Sequence, residues 1–280
     1  MLLSPAQKDW ALSLPAFTIV TLLAVVPALM LFFTAFTSPD VEGFTMINFN
    51  NLWESKLATQ AFWRTIRVSV SVTLITIILG YPLAIGFLRA NKKLQPILLT
   101  LLVFPLMVSV VVRAYGWIVV LSPSGIVNTL LMSVGIISEP LEILHTEVAV
   151  IIGETQLLLP YMVLSLIASL QKADVNLEEA SMSLGANPLT TFFRIVMPIS
   201  FPGLLTGTLL VFALALTAFA TPLLLGGGRT PLLTTLIYSF AFTTFDWSAA
   251  AAVGLILIFL ALMFVWLQRW VGKKVLKSYD

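Results

Sequence analysis

EEASMSLGANPLTTFFRIVMPISFPG, residues 178–203, is a long polar stretch that lies between two apolar segments of membrane length. Its spacing is the informative part. The stretch contains Glu179-Ala180-Ser181, then Gly185 after three residues, Ile195 after nine more, and Met197-Pro198 after one more. Glycine and proline at such positions end and restart helices, so the stretch predicts two short helices joined in an elbow.

The first predicted helix begins near Leu177. Asn176 followed three residues later by Glu179 has the form of a capping box, and the helix dipole favours the acidic Glu178 and Glu179 in the first turn. One face of this helix has small residues in its middle, at the spacing of Leu177, Ala180, Ser181 and Leu184. Gly185 is suited to end the helix in a left-handed conformation.

The second predicted helix follows directly. Asn187 is placed as its N-cap and Pro188 as its first residue. An apolar stripe is expected on it, formed by Leu189, Phe192, Phe193 and Val196. Pro198 and Pro202 are expected to close this helix before the next apolar segment begins. Small side chains in an elbow along a membrane face would allow a partner's groove to approach closely.

The chain as a whole has the composition of a membrane protein, and because backbone polar groups cannot go unpaired in lipid, its long apolar segments predict an all-α fold. Of its 280 residues, 59% are apolar and 10% are charged, with a mean hydropathy of +1.02. A helix needs about 20 apolar residues to cross a bilayer. Six segments of that order are predicted to span it: residues 12–36, 68–88, 94–121, 148–170, 204–225 and 249–267. The first is too long for a cleaved signal peptide and lacks a basic start, so we expect a retained span.

Two shorter apolar stretches, residues 126–137 and 231–245, are expected to be interfacial or re-entrant helices at the outer surface. Basic residues indicate orientation, since short cytoplasmic loops retain them. With both termini inside, the cytoplasmic side holds Lys8, Arg89, Lys92, Lys93, Lys172, Arg194, Arg269, Lys273, Lys274 and Lys277. The outer side then holds Lys56, Arg64, Arg67 and Arg229. This asymmetry places residues 171–203 in the cytoplasm.

The spacing in residues 178–203 resembles the EAA loop of permease subunits of binding-protein-dependent ABC importers. Two departures are minor: Ser181 stands for the usual second alanine and Met197 for the usual leucine. The resemblance implies a type I importer permease fold with six transmembrane helices and short cytoplasmic coupling helices. It also implies that the loop docks on a cytoplasmic ATPase through residues Glu178, Glu179, Ala180, Ser181, Leu184, Gly185, Ala186, Ile195 and Pro198.

Further strings are similar to the polyamine (spermidine/putrescine) branch of this family: GYPLA at 80–84, FPLMVSVVVRAYGW at 104–117 and LLPYM at 158–162. The resemblance covers roughly residues 60–270. We expect an N-terminal helix and outer loop over 1–60, a permease core over 61–271 and a cytoplasmic tail over 272–280. Relatives of this branch carry other solutes, so an aminophosphonate or an amino-acid derivative stays open as the cargo.

The resemblance implies a multi-subunit importer in a bacterial cytoplasmic (inner) membrane. Its other parts would be a second homologous permease, two ATPase subunits and a periplasmic or extracellular solute-binding protein. ATP and Mg²⁺ would bind the ATPases, and this chain would hold no cofactor or metal and no nucleic acid. The sequence agrees, since it lacks GxxxxGK[ST], HExxH and GxSxG motifs, has no cysteine and has His145 as its one histidine.

Two ionisable residues fall within predicted spans, Arg113 and Glu154. Charge at membrane depth is costly and faces protein or water. The two could form a structural pair between adjacent helices, or line the solute path, where Glu154 would attract a cation. Aromatic and acidic candidates for the same path are Tyr115, Trp117, Tyr161 and Asp246. They could equally serve packing or an interfacial belt.

Two other protein classes compete with the importer. An intramembrane enzyme would need paired catalytic groups, and the spans offer one arginine and one glutamate. A self-sufficient channel or secondary carrier would need neither an ATPase nor a docking elbow. Neither class explains the spacing within residues 178–203.

Overall fold

A computed structural model describes residues 5–38, 43–171 and 176–276. Within these ranges the chain forms helices joined by turns and short extended segments. Their bounds are α1 Pro5–Ala35, α2 Ile47–Glu54, α3 Lys56–Arg89, α4 Gln95–Met107, α5 Val110–Leu121, α6 Ile126–Ser133, α7 Glu147–Leu170, α8 Asn176–Ser183, α9 Pro188–Thr191, a π-helical turn Phe192–Val196, α10 Met197–Leu216, α11 Ala220–Gly226, α12 Leu233–Phe242 and α13 Trp247–Leu276.

The expected number of membrane-length helices is confirmed among the described residues. Six are long and apolar enough to cross a bilayer: Phe17–Ala35, Lys56–Arg89, Val110–Ser133, Glu147–Leu170, Pro188–Leu216 and Trp247–Lys274. The third of these combines α5 and α6 across the turn at residues 122–125. The two doubtful stretches contain the short helices α6 and α12, neither of which is long enough to span by itself.

The third span differs from its prediction. Residues 94–121 are not one helix, because the chain leaves the helical conformation at Val108 (ψ 134°) and Ser109 (ψ 137°) between α4 and α5. Pro105, in the last turn of α4, lacks a backbone N–H to donate. Hydropathy does not reveal such a break, since valine and leucine are as apolar in an extended segment as in a helix.

The fifth span also differs. It was predicted over residues 204–225, but α10 begins at Met197 and ends at Leu216, and α11 starts only at Ala220. The prolines expected to close the elbow do not do so, since the helix continues from α9 through the π-helical turn into α10. Pro198 lies in the first turn of α10, and the wider turn directly before it accommodates a residue that cannot donate a backbone hydrogen bond.

Two compact units make up the fold, Met1–Thr59 with Leu236–Ile258 and Gln60–Thr235 with Phe259–Asp280. In the first unit, the buried Asn48 of α2 donates hydrogen bonds to the carbonyls of Ala35 and Thr37, both at 2.9 Å. These bonds satisfy acceptors left free where α1 ends. The apolar side chains of α1 that the structure describes are largely exposed within this chain.

The second unit is organised around an antiparallel pair formed by α7 and α10. At Gly203 of α10 the two backbones come so close that a Cβ atom would lie 2.4 Å from the Ser165 carbonyl oxygen. The Ser169 hydroxyl crosses the same contact and donates to the Ile199 carbonyl at 3.2 Å. In lipid, close approach through small residues is a main source of helix association. The elbow, α8 and α9, connects the two helices at one end, called here the elbow end.

We predict that Gly203→Ala destabilises the purified importer by roughly 1–3 kcal/mol, because its Cβ would overlap backbone rather than a flexible side chain. Gly86→Ala is the matched control, since a Cβ there meets nothing within 4 Å and alanine favours a helix by about 1 kcal/mol over glycine. Thermal unfolding of the two variants measures the difference. Equal stability of both would contradict the close contact of α7 with α10.

Candidate functional site

The first helix of the elbow ends as the sequence predicts. Gly185 has a φ of +89°, in the left-handed region. Its N–H donates to the Met182 carbonyl at 3.0 Å, and the Ala186 N–H donates to the Ser181 carbonyl at 3.1 Å. These two bonds form a Schellman motif, which satisfies the last carbonyls of α8 and turns the chain sharply.

The second helix begins immediately after this turn. The Asn187 side-chain oxygen accepts a 2.7 Å hydrogen bond from the Thr190 N–H, and Pro188 is the first helical residue. Both predicted roles are confirmed. In addition, the hydroxyl groups of Ser181 in α8 and Thr191 in α9 lie 3.0 Å apart and share a hydrogen bond. The elbow is therefore two helices with a polar link across their bend.

The π-helical turn fixes the elbow to α3 and α10 within the second unit. Its Phe192 ring meets the Tyr81 ring of α3 edge to face, with centroids 5.1 Å apart. The Tyr81 hydroxyl in turn lies 2.9 Å from the hydroxyl of Ser200 in α10. Buried Val196 adds to the same core. A continuous helix and these side-chain contacts join the elbow to both α3 and α10.

The apolar stripe predicted on the second helix is divided. Phe192 and Val196 face the core, whereas Leu189 and Phe193 are exposed. The change from α-helical to π-helical winding explains this, because five residues in a wider turn do not keep the 3.6-residue period used for the prediction. Leu184 at the bend is 90% exposed. Leu184 and Leu189 thus give the elbow an apolar surface that this chain does not cover.

The other predicted coupling residues lie on or beside this surface. Ala180 and Gly185 are exposed, while Ser181, Ala186, Ile195 and Pro198 are half-buried or exposed. Glu178 and Glu179 belong to α8, but the structure does not describe their side chains. Asn176 is the first residue of α8 rather than the residue before it, and its expected side-chain cap is likewise outside what is described.

A second candidate site lies between α5, α7 and α11. Glu154 of α7 is 1% exposed, with one carboxyl oxygen lacking a hydrogen-bond partner, and its side chain lies close to that of Thr221 in α11. Arg113 of α5 lies within electrostatic range, and one of its terminal nitrogens is also buried without a partner. No ion pair joins these two described residues within 4.0 Å. They are neighbours rather than the direct pair that one interpretation expected.

The break at Ser109 changes where Arg113 lies. It is the fourth residue of α5, instead of a position about nineteen residues into a continuous helix. A positive side chain is disfavoured at a helix N-terminus. The carboxyl group of Glu154 in α7 lies within electrostatic range of Arg113, without direct contact.

The aromatic candidates do not gather around this site as a group. The Trp117 indole N–H donates to the Gln156 side chain at 3.4 Å, which links α5 to α7, and Tyr161 is half-buried near Arg113. Tyr115 is exposed, because it lies two residues from both Arg113 and Trp117 and therefore points to a different side of α5. The cavity beside Arg113 and Trp117 has a volume of about 10 Å³, space for about one water molecule. A solute larger than water does not fit in this cavity.

Asp246 has a structural contact that sequence inspection did not anticipate. Its carboxylate accepts a 2.9 Å hydrogen bond from the Ala249 N–H in the first turn of α13. This is the geometry of a helix N-cap. The residue belongs to the first compact unit and is exposed.

A charged cluster at the far end of α7 from the elbow was missed. One Glu147 carboxyl oxygen accepts hydrogen bonds from Arg64 at 2.9 Å and from Arg67 at 2.8 Å. Arg64 also donates to the Pro231 carbonyl at 3.2 Å. Two arginines three residues apart lie on one helix face, which is a sequence signal for a shared acidic partner. The partner itself is about 80 residues away in the chain.

Comparison with known proteins identifies what this chain is similar to. The sequence profile described as "Binding-protein-dependent transport system inner membrane component" matches residues 75–277. The chain is 36% identical over 249 residues to the spermidine/putrescine transport system permease protein PotB of Haemophilus influenzae, with 86% of this chain and 87% of that protein covered. PotB of Escherichia coli strain K12 is 34% identical over 263 residues, with 91% and 95% covered.

More distant matches include a permease named for a different cargo and a solved structure with a similar fold. The molybdenum transport system permease protein ModB of Mycobacterium bovis is 29% identical over 72% of this chain and 75% of that protein. A bacterial alginate ABC transporter, solved in complex with an alginate pentasaccharide-bound periplasmic protein, superposes with a TM-score of 0.79 at 20% identity, covering 96% of both chains. At that identity the likeness shows the fold alone, which is the all-α type I arrangement predicted above.

We predict that Glu147→Gln destabilises the purified protein by roughly 1–3 kcal/mol, because it leaves two arginines without their shared carboxylate. Arg67→Gln is the control on the same contact. Its side chain is 63% exposed against 15% for Arg64, so its loss is expected to cost about 1 kcal/mol or less. Thermal unfolding of both variants tests this. A larger effect from Arg67→Gln than from Glu147→Gln would contradict it.

Proposed function

Since this chain belongs to the inner membrane components of binding-protein-dependent transport systems, and is therefore a permease subunit of an ABC importer, we propose that its cargo is a polyamine such as spermidine or putrescine. The observation that carries the proposal is 34–36% identity, over most of the chain, to spermidine/putrescine permeases. As a transport subunit the chain is not an enzyme, and ATP is hydrolysed by a separate ATPase subunit.

The chain is a multi-pass protein of the inner membrane, and we propose that both of its termini face the cytoplasm. The support is the bias of lysine and arginine toward loops on that side. The elbow end of α7 then lies in the cytoplasm, and the Glu147 end faces the binding protein. The far larger number of basic residues near the elbow end makes the reverse orientation unfavourable.

The elbow is proposed as the surface that docks on the ATPase. Support comes from its exposed apolar residues, Leu184 above all, and from the small residues Ala180 and Gly185 that allow a groove to approach. Glu178 and Glu179 would offer carboxylates to donors on the ATPase. Ser181 and Ala186 would hold the bend, and Ile195 and Pro198 would join the elbow to α10. The attachment of the elbow to α3 and α10 would carry ATPase closure into the membrane as a rigid-body movement.

The proposed assembly contains a second homologous permease beside this chain, two ATPases below it and a solute-binding protein above it. Many hydrophobic side chains of α1 and α3 are exposed within this chain, which supports contacts with lipid and with a second permease. The expected boundaries of a permease core over residues 61–271 and a tail over 272–280 remain predictions.

The solute path is proposed to pass the site between α5, α7 and α11. Glu154 supports this, because a carboxyl group with an unpartnered oxygen at membrane depth is suited to a cationic solute. Arg113 would limit how long a cation stays there, and Trp117 and Tyr161 would offer aromatic faces to an ammonium group. Tyr115 has an exposed ring, and Asp246 caps α13 in the first compact unit; a place on the solute path remains a prediction for both.

The cargo is tested by purifying the assembled importer with its binding protein and identifying the bound small molecule by mass spectrometry. Uptake into proteoliposomes should then be driven by ATP and inhibited by spermidine or putrescine. Binding and uptake of an aminophosphonate, an amino-acid derivative or an oxyanion instead would overturn the polyamine proposal. Uptake by this chain without any ATPase would overturn the role of the elbow as well, in favour of a channel or carrier.

Coupling is tested by Glu179→Lys and Gly185→Asp. Both variants should remain in the membrane but lose most transport-coupled ATPase stimulation, since they place charge or bulk in the docking surface. Gly185→Asp also forces a side chain into a left-handed φ. Glu139→Lys is the matched control, because it makes the same charge change at an exposed position outside the elbow. Normal stimulated ATPase activity and uptake in both elbow variants would refute docking there.

The path is tested by Glu154→Gln, which keeps size and removes charge. We expect uptake of a polyamine to fall about tenfold, equivalent to about 1.4 kcal/mol, while ATPase stimulation is retained. Glu142→Gln is the control at an exposed position. If Glu154→Gln leaves uptake and its concentration dependence unchanged, Glu154 is a packing residue rather than part of the path.

A further inference from the structure

An apolar groove runs along the side of the second unit near the elbow. Its volume is about 470 Å³, within the range of about 300–1,000 Å³ found for small-ligand sites. One wall is α3, and the other is the π-helical turn with the start of α10. Its lining includes Ile78, Pro82, Ile85, Phe192, Phe193 and Met197. Ile78 and Phe193 are largely exposed, so the groove is open on one side.

The lining excludes a polar occupant. Tyr81 carries the one polar group among the lining side chains, and its hydroxyl is already hydrogen-bonded to Ser200 at 2.9 Å. A polyamine or another charged solute would lose its hydration here without gaining a partner. The groove therefore lies apart from the proposed solute path and fits a hydrocarbon chain.

Basic residues follow both walls of the groove along the chain. Ile78, Pro82 and Ile85 lie at i, i+4 and i+7 on one face of α3, and the same face reaches Arg89, the last residue of the helix, at i+11. Lys92 and Lys93 follow in the exposed turn, and exposed Arg194 is next to Phe193 in the opposite wall. The groove is thus apolar along its length, and the basic residues of the turn after α3 and of the π-helical turn are its nearest charged neighbours in sequence.

The length of this arrangement matches one lipid. From Ile78 to Arg89 is 11 residues, about 16 Å along the helix axis at 1.5 Å per residue. One leaflet is half of a hydrocarbon core about 30 Å thick. An acyl chain lying beside Ile78 would therefore bring its headgroup to the level of the basic residues.

We propose that this groove binds an anionic phospholipid, with an acyl chain between α3 and the π-helical turn and its phosphate near Arg194, Lys92 and Lys93. Basic sites between membrane helices on the cytoplasmic side recognise such headgroups. The choice of leaflet rests on the orientation given under the proposed function. The lipid would contact both walls at the root of the elbow and so stiffen its attachment to the membrane helices.

The test uses the assembled importer purified in nanodiscs of phosphatidylcholine with a small fraction of phosphatidylglycerol bearing a photoreactive acyl chain. Crosslinks mapped by mass spectrometry should fall on residues 77–85 and 192–197. Unlabelled phosphatidylglycerol should compete at least about fivefold better than phosphatidylcholine. Equal competition by the two lipids, or crosslinks spread evenly over the apolar surface, would overturn the proposal. Crosslinks from these residues to the second permease, with no lipid adduct, would also overturn it.

Matched variants separate the headgroup from the acyl chain. Arg194→Gln should remove most of the preference for phosphatidylglycerol, whereas Arg269→Gln, an exposed arginine elsewhere, should keep it. Phe193→Ala should reduce the crosslinking yield for both lipids, and Phe104→Ala, an exposed phenylalanine on α4, should not. Unchanged crosslinking in both groove variants would refute the site.

Lipid binding and transport can fail independently. Crosslinking needs neither ATP nor solute, so a wrong cargo or an uncoupled elbow leaves it unaltered. If the groove residues are crosslinked by a lipid confined to the outer leaflet, the orientation is wrong while the groove itself is a lipid site. In that case the proposed contact with a cytoplasmic-leaflet headgroup is overturned.

Discussion

Close contact between α7 and α10 is the constraint on which the rest of the second unit depends. Lipid tails are as apolar as leucine, so burying hydrophobic side chains does not by itself bring membrane helices together. Backbone proximity at Gly203 and the hydrogen bond from Ser169 to Ile199 supply what hydrophobic burial cannot. Because α7 leads into the elbow and α10 leads out of it, this helix pair also sets where the elbow lies.

The attachment of the elbow combines two different kinds of link. Its bend is held by a Schellman turn at Gly185 and by the Ser181–Thr191 hydrogen bond. Its exit is a continuous helix that passes through a π-helical turn, where Phe192 packs on Tyr81. A helix without a break transmits a push along its axis, so movement of the elbow would reach α3 and α10 together. The groove beside the π-helical turn lies where this connection is made.

Some polar groups within the membrane helices are buried with only part of their hydrogen-bonding capacity satisfied. Arg113 and Trp117 of α5 lie near Glu154 and Gln156 of α7. Trp117 donates a hydrogen bond to Gln156, whereas Arg113 and Glu154 lie within electrostatic range without forming an ion pair. The break at Ser109 places Arg113 in the first turn of α5, near Glu154. Partly satisfied groups at this depth cost stability, and proteins keep such groups where function needs them. The Arg64–Glu147–Arg67 cluster differs, since one oxygen of its carboxylate accepts hydrogen bonds from both arginines.

The sequence by itself determined the class of protein, the number of membrane-length helices, and the turn chemistry of the elbow. These features depend on composition and on local rules: helix length against bilayer thickness, a glycine at a left-handed position, and asparagine followed by proline at a helix start. Only the tertiary structure decided the break at Ser109, the end of α10 at Leu216, and the continuation of the elbow through Pro198. The physical reason is that hydropathy measures transfer into lipid, while helix continuity depends on backbone hydrogen bonds and on packing partners far away in the chain. Arg64, Arg67 and Glu147 show the same limit, because nothing local to either segment reveals a contact across about 80 residues.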